Sequence, residues 1–210
     1  MLKALFYPDV KFESLYIPWI YQEIYMDKVY DGILRGKKDL VILDVGANIG
    51  IVTQFMKDFA NKVYAIEPSS ENFEALSKNK EFNNWNNVEL FKLAIAGTDG
   101  EMKLSKTLDN LTCNSLVNDY GDGEMVKTKN LNTFFKENNI NKIDFMKIDI
   151  EGAEEQVFCS TNFNNIAPKI KSIMCEFHYP DYIKIVNHLI GLGYTARRYP
   201  SSAIIYLFTR

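Results

Sequence analysis

The chain has 210 residues, 47% of them hydrophobic and 24% charged, which is the composition of a folded globular protein and excludes a disordered one. A formal net charge of -3 gives no general attraction for polyanions, so nucleic acid is a disfavoured partner. No stretch reaches the roughly 20 apolar residues of a membrane span.

Residues 1–39 are read as an N-terminal helical cap segment and 40–210 as one domain, long enough to bury a full core. The three cysteines, Cys113, Cys159 and Cys175, are odd in number and lack metal-type spacing, which suits reduced thiols in a cytoplasmic protein. The sequence does not fix the oligomeric state.

In chain order, residues 12–35 are aromatic-rich, and Tyr21, Ile24, Tyr25, Val29 and Ile33 fall on one face of a helix after Pro18. Such a stripe packs as a cap over the core or closes as a lid over a ligand. From residue 40, short β-branched runs alternate with helical patterns, as in βαβ units of a parallel sheet. Strands are predicted at 40–45, 62–66, 88–93, 142–149 and 170–177. Helices are predicted near 49–59, 70–81, 131–138, 153–159 and 180–191, the last with Ile183, Val186, Leu189 and Ile190 on its apolar face. The stretch 97–130, rich in Gly, Asp, Asn and Thr, reads as a β-rich insertion or loop beside the site. At the C-terminus, 194–200 and 202–210 are strand-like with no helix between them, which predicts an antiparallel hairpin. The class is therefore α/β: a mostly parallel twisted sheet, helices on both faces and a C-terminal antiparallel β-hairpin, the arrangement of Rossmann-like methyltransferases.

Polar residues gather at the predicted strand ends. After the first strand, "DVGANIG" sets Asp44, Gly46, Ala47, Asn48 and Gly50 ahead of a helix. Glycines let the backbone turn and approach a ligand, and a helix N-terminus offers unpaired N–H groups. The pattern is not G-x-G-x-x-G, because Asn48 replaces a glycine. The preceding acid would oppose a pyrophosphate but suits a cationic amine. The second strand ends in Glu67-Pro68, where an acid accepts hydrogen bonds from ribose hydroxyls. An amino-acid group near Asp44 and a ribose near Glu67 together describe S-adenosylmethionine.

In "IDFMKIDIEGAEEQVF", Lys147, Asp149 and Glu151 alternate with Met146, Ile148 and Ile150, on a central strand that should be almost wholly apolar. At period two they share one face near the carboxyl end, where open α/β sheets bind ligands. They are candidates for general acid–base work, or for a buried ion pair that fixes the strand. Glu176 and His178 alternate at the end of the next strand, while His188 lies mid-helix in a structural position. Asp149, Glu176 and His178 offer oxygen and imidazole ligands to a divalent cation, which the spacing permits without requiring.

Through "DVGANIG", "AIEPSSENFEAL", "NLNTFF", "FMKIDIEGAE" and "CEFH", in that order over roughly residues 40–180, the chain resembles the FkbM family of S-adenosylmethionine-dependent methyltransferases. The resemblance implies S-adenosylmethionine as methyl donor, S-adenosylhomocysteine as product, and O-methylation of a sugar, polysaccharide unit or small natural product. It places Asp44, Gly46, Ala47, Asn48 and Gly50 at the methionine end, Glu67 and Pro68 at the ribose, and Ala94 against the cofactor. Asp149, also expected against the cofactor, and Glu151 form the reacting edge, with Lys147 and His178 as further proton acceptors. Where the family often has Leu-Asp, this chain has Leu131-Asn132; Asn caps a helix as Asp does, so the fold should survive. The acceptor expected is a small molecule or saccharide. An RNA 2′-O-methyltransferase, an N-methyltransferase on a small amine, and a binding module without catalysis are the alternatives.

Overall fold

A computed structural model describes residues 24, 29–106, 114–118, 121–178, 180–200 and 203–210. Its strands are β1 (Leu40–Val45), β2 (Ala60–Ile66), β3 (Val88–Phe91), β4 (Ala94–Ile95), β5 (Gly100–Ser105), β6 (Gly123–Lys129), β7 (Phe145–Ile148), β8 (Ser172–Glu176), β9 (Thr195–Arg198) and β10 (Ile205–Thr209). The main sheet runs β3-β2-β1-β7-β8-β10-β9. Its first five strands are parallel, and β10 is antiparallel to both β8 and β9. The predicted class and terminal hairpin are both present.

The strands are short apolar runs because both faces of the sheet are covered. In β1, Leu43 and Val45 face one buried layer while Ile42 faces the other; in β7, Met146 and Ile148 oppose Phe145 in the same way. The first layer is closed by Phe134, Phe135, Phe158 and Phe163, the second by Ile33, Leu34, Met56 and Trp85. The side chains come from α1 (Asp31–Leu34), α2 (Ile51–Met56), α3 (Ser70–Phe82), α4 (Leu131–Glu137), α5 (Glu154–Phe158), α6 (Thr161–Ile166) and α7 (Tyr182–Gly191), together with the adjoining turns.

Four local expectations change. The helix expected at 49–59 is α2 followed by a 3-10 turn at Lys57–Phe59. The short polar α6 has no apolar periodicity by which to read it, but its cap is clear: Ser160 accepts the N–H of Phe163. Helix α4 is capped by Asn130, which accepts the N–H of Thr133, so Asn132 lies inside the first turn and is not the cap. In α7 the buried face is Ile185, Val186 and Leu189, while Ile183 and Ile190 are exposed.

Within 97–130, β5 and β6 pair antiparallel, and β4 joins β6 in a separate three-stranded sheet. Ala94, Leu104 and Val126 form its small core. Glu124 ties it to α3, accepting from the backbone and hydroxyl of Ser70. Most of the predicted 12–35 helix, including Tyr21 and Tyr25, lies outside the described residues, as does Cys113; Ile24, Val29 and Ile33 are buried against the second layer. Cys159 and Cys175 are free thiols. Among the described residues no helix is long and apolar enough to cross a membrane.

Candidate active site

A cavity of about 560 Å³ lies along the carboxyl ends of β1, β2, β7 and β8, the edge where open α/β sheets bind ligands. Its wall includes Gly46, Ala47, Asn48, Glu67, Pro68, Ala94, Lys147, Asp149, Glu151, Glu176 and His178. Most of the residues singled out in the sequence therefore meet at one site. Asp44 and Gly50 do not reach it.

The two glycines of the first turn serve the protein's own packing. Gly46 has φ +79°, and a Cβ there would lie 1.8 Å from the Asp149 carbonyl oxygen, so only glycine lets the turn pass the end of β7. Gly50 has φ +94°, and its Cβ would meet Leu76 and Trp85 at 2.6 and 2.7 Å. Asn48 takes φ +52°, a left-handed conformation that Asn tolerates better than most residues, which explains how it stands where a glycine was expected.

The loop amides are also committed. Gly46 and Ala47 donate to the Ile66 carbonyl, Gly50 donates to the Ala47 carbonyl, Asn48 N donates to Glu67 Oε2 at 2.8 Å, and Ile49 N donates to Asn48 Oδ1 at 2.7 Å. The expectation of unpaired N–H groups across this loop is thus corrected: what it offers is a preformed shape. Glu67 braces both turns, because its Oε1 accepts from Ser69 N at 2.9 Å. Burial raises the Glu67 carboxyl to about 7, against the pull of the Ser69 and Asn48 amides and of Lys147.

Asp44 is fully buried on β1, register partner of Lys147 on β7. Its Oδ2 accepts from Thr53 Oγ1 at 2.6 Å, and its Oδ1 lies 3.6 Å from Lys147 Nζ. Burial pushes this carboxyl up, while the Lys147 ammonium and the Thr53 hydroxyl draw it down. The expectation that Asp44 faces a ligand's amine is therefore replaced by an internal ion pair. Lys147 also donates to the Gly46 carbonyl at 2.6 Å and lies 3.6 Å from Asp149 Oδ2. It links the buried pair to the cavity wall.

Strand alternation does not carry Glu151 to the site. Strand β7 ends at Ile148, and Glu151 follows in a turn with φ +53°, a rare conformation for a non-glycine residue. Its carbonyl accepts from Ser115 Oγ at 2.7 Å, so the small-sheet insertion holds this turn. Nε2 of His178 lies 3.7 Å from Asp149 Oδ1, 3.6 Å from Glu151 Oε2 and 3.5 Å from Glu176 Oε1. Nδ1 lies 3.0 Å from Oε1 of the buried Glu154. Burial alone would lower the imidazole, but the Glu154 and Glu176 contacts and the Asp149 and Glu151 charges raise it to about 11. Glu151 is raised to about 7 by burial, against the pull of His178 and with added repulsion from Asp149, Glu176 and Glu154. His188 pairs with Asn164 Oδ1 at 3.0 Å, away from the cavity wall, in line with a structural role.

Sequence reasoning missed Asn114, Glu154, Tyr30, Leu104 and Leu116. Asn114 lines the cavity with both side-chain amide atoms buried and without a hydrogen-bond partner among the described residues. Glu154 was visible only as one of two acids after Ala153, and no pattern told it apart from Glu155, which is on the surface paired with Lys184.

A parallel sheet closed by an antiparallel hairpin, with a glycine turn and an acid at adjacent strand ends, has the architecture of the Rossmann-like methyltransferase fold. Residues 44–196 match the family model for the methyltransferase FkbM domain, and the chain belongs to that family. Among curated proteins it is 27% identical to "Methyltransferase 1" of Beauveria bassiana (strain ARSEF 2860), over 69% of this chain and 67% of that protein. It is 28% identical to "Methyltransferase sdnD" of Sordaria araneosa, over 66% of each. The chain thus spans about two thirds of the length of both relatives. Among solved structures, precorrin-6y C5,15-methyltransferase from Geobacter metallireducens GS-15 matches with TM-score 0.54 and 14% identity, over 87% of this chain and 86% of that one. A Streptococcus mutans protein in complex with SAH (S-adenosylhomocysteine) matches with TM-score 0.53 and 11% identity, over 88% and 96%. At these identities the structures speak for the fold.

Proposed function

We propose that the protein is an S-adenosylmethionine-dependent O-methyltransferase whose acceptor is a hydroxyl of a sugar, a polysaccharide unit or a small natural product. The observation that carries this reading is the placement of the polar groups in the cavity wall. Glu67, a buried acceptor suited to ribose hydroxyls, stands at the end of β2, and an acidic edge with one histidine stands beyond β7 and β8. A volume of about 560 Å³ falls inside the roughly 300–1,000 Å³ of ligand pockets. A solved neighbour of the same fold holds SAH.

When bound, S-adenosylmethionine supplies an electrophilic methyl group on a sulfonium. The residues that would hold it are Glu67 and Pro68 at the ribose, Ala94 beside it, and Gly46, Ala47 and Asn48 at the methionine end. With both bound, the strand ends and the turns that follow them would hold acceptor and donor in alignment. A hydroxyl acceptor must lose a proton. His178, already protonated at neutral pH among its carboxylates, is a poor base here; Glu151, raised to about 7, can take the proton at Oε1 or Oε2. Asp149 and Glu176 orient the acceptor from either side.

The test is calorimetry with S-adenosylhomocysteine, followed by transfer of label from methyl-labelled S-adenosylmethionine to a panel of saccharides and phenols. Saturable binding and an O-methyl ether product are expected. Absence of binding would overturn the reading, and a methylated amine or RNA product would replace the acceptor class.

A further inference from the structure

We propose that Asp149, Glu151 and Nε2 of His178 form a divalent-cation site in the cavity wall. One ligand atom from each residue lies within 4.8 Å of the others. Two atoms each about 2.1 Å from a shared ion sit about 3.0–3.4 Å apart. The separations of 3.7 and 3.6 Å from Nε2 to Asp149 Oδ1 and Glu151 Oε2 are a few tenths of an ångström wider, long for hydrogen bonds but close to what one ion would bring together.

Two further observations point to a ligand. Glu154, its side chain 0% exposed, holds Nδ1 of His178 at 3.0 Å. A carboxylate on one ring nitrogen holds the ring so that the other faces the metal, and the incoming ion displaces the Nε2 proton that His178 carries in the metal-free protein. Oδ1 of Asp149 and Oε2 of Glu154 are buried with no hydrogen-bond partner among the described residues, and it is this Asp149 oxygen that faces Nε2. Carboxylates with a single imidazole suit Mg²⁺ or Mn²⁺. Glu176 Oε1, 3.5 Å from Nε2, stands as a fourth donor. The open positions of such an ion face the cavity, where adjacent hydroxyl oxygens of the acceptor would complete it. That role rests on the O-methyltransferase reading; the cation site does not. With the ion in place Glu151 is a ligand, and the ion takes over the acidification of the acceptor hydroxyl.

The experiment is Mn²⁺ titration of the metal-stripped protein followed by electron paramagnetic resonance, with S-adenosylhomocysteine binding measured in parallel. One Mn²⁺ per chain is expected. His178→Ala should abolish saturable binding, and Glu154→Gln should weaken it by about 10–100-fold, with circular dichroism unchanged in both. No saturable Mn²⁺ in the wild type up to millimolar concentration, or binding unaltered in His178→Ala, would overturn the site. If S-adenosylhomocysteine binds while Mn²⁺ does not, the inference falls and the proposed function stands. If Mn²⁺ binds while S-adenosylhomocysteine does not, the site stands and the proposed function falls.

Discussion

If Glu67 receives the ribose hydroxyls as proposed, it ties cofactor affinity to pH. In the free protein burial holds its carboxyl at about 7 rather than the ordinary 4.5, although three hydrogen-bond donors, the amides of Ser69 and Asn48 and the side chain of Asn72, already favour the charged form. Ribose hydroxyls donating to the same carboxylate would add to those donors and lower the pKa in the complex. Binding then requires loss of a proton whenever the solution is more acidic than the free-state pKa. With a free-state value of about 7 and the ordinary carboxyl value of 4.5 restored in the complex, the apparent Kd for S-adenosylhomocysteine should rise about tenfold from pH 8 to pH 6 and about 25-fold to pH 5.5. The assay is calorimetry across that range in buffers of differing ionisation enthalpy, which reads the proton released as well as the affinity. Glu67→Gln keeps the shape, loses the charge, and should bind about 10–100-fold more weakly at pH 8 with a flat profile. A wild-type Kd constant from pH 8 to 5.5, or a slope that persists in Glu67→Gln, would refute the reasoning. The sign for folding is opposite. A carboxyl whose folded pKa is raised from 4.5 to about 7 contributes stability that is fully present below pH 4.5 and lost as pH climbs through 7, by about 3 kcal/mol at the upper limit. Ligand should therefore stabilise the protein most on the alkaline side.

Three further outcomes are expected. Gly46→Ala forces a Cβ to 1.8 Å from the Asp149 carbonyl at φ +79°; backbone strain and overpacking together cost about 2–5 kcal/mol, and a thermal melt should fall by roughly 5–15 °C. Asn114→Ala removes two amide atoms that are unpartnered in the free cavity; it should leave the melting temperature within about 2 °C and raise the KM of donor or acceptor about 2–10-fold, and an unchanged KM for both would remove Asn114 from the site. Lys147→Met strips the counter-ion from Asp44, 3.6 Å away and fully buried; urea denaturation should show a loss of about 3–5 kcal/mol, part of it recovered by pairing the change with Asp44→Asn.

The fold was legible because burial on both faces of the sheet writes itself as short apolar strands, and because the two terminal strands have no helix between them. The candidate site was legible as a set of residues that share one cavity: Glu67, Asp149, Glu151 and His178 each stand at or just past a strand end, where a polar residue needs a reason. Register was not legible. Lys147 and Asp149 are two apart in sequence, and that spacing alone gives Lys147 a partner on its own strand. The sheet order also lays β1 beside β7 and sets Asp44 opposite Lys147, a pairing over 102 intervening positions that no local pattern records. Glu151 shows the reverse error: its spacing fits strand alternation, yet a left-handed turn after Ile148 is what delivers it. Asn114 and Ser115 could not be read at all, since they act through an insertion whose polar sequence follows no period.

The Asp44–Lys147 pair changes how the opening motif works. An acid before a glycine turn reads most simply as a ligand contact, but this one is sealed behind Thr53 and serves the strand beside it. Its charge holds Lys147, and Lys147 donates to the Gly46 carbonyl at 2.6 Å while standing 3.6 Å from Asp149 Oδ2. One ammonium thus fixes the turn after β1 relative to the carboxylate after β7, the two walls between which the reacting centres must be aligned. A misplacement of about 1 Å between such walls can cost about a hundredfold in rate. If Asp44 acts by positioning, Asp44→Asn should lower kcat more than it weakens S-adenosylhomocysteine binding. If it touched the cofactor's amine, binding would suffer first. Single-turnover rates and calorimetric Kd on that one variant decide between the two.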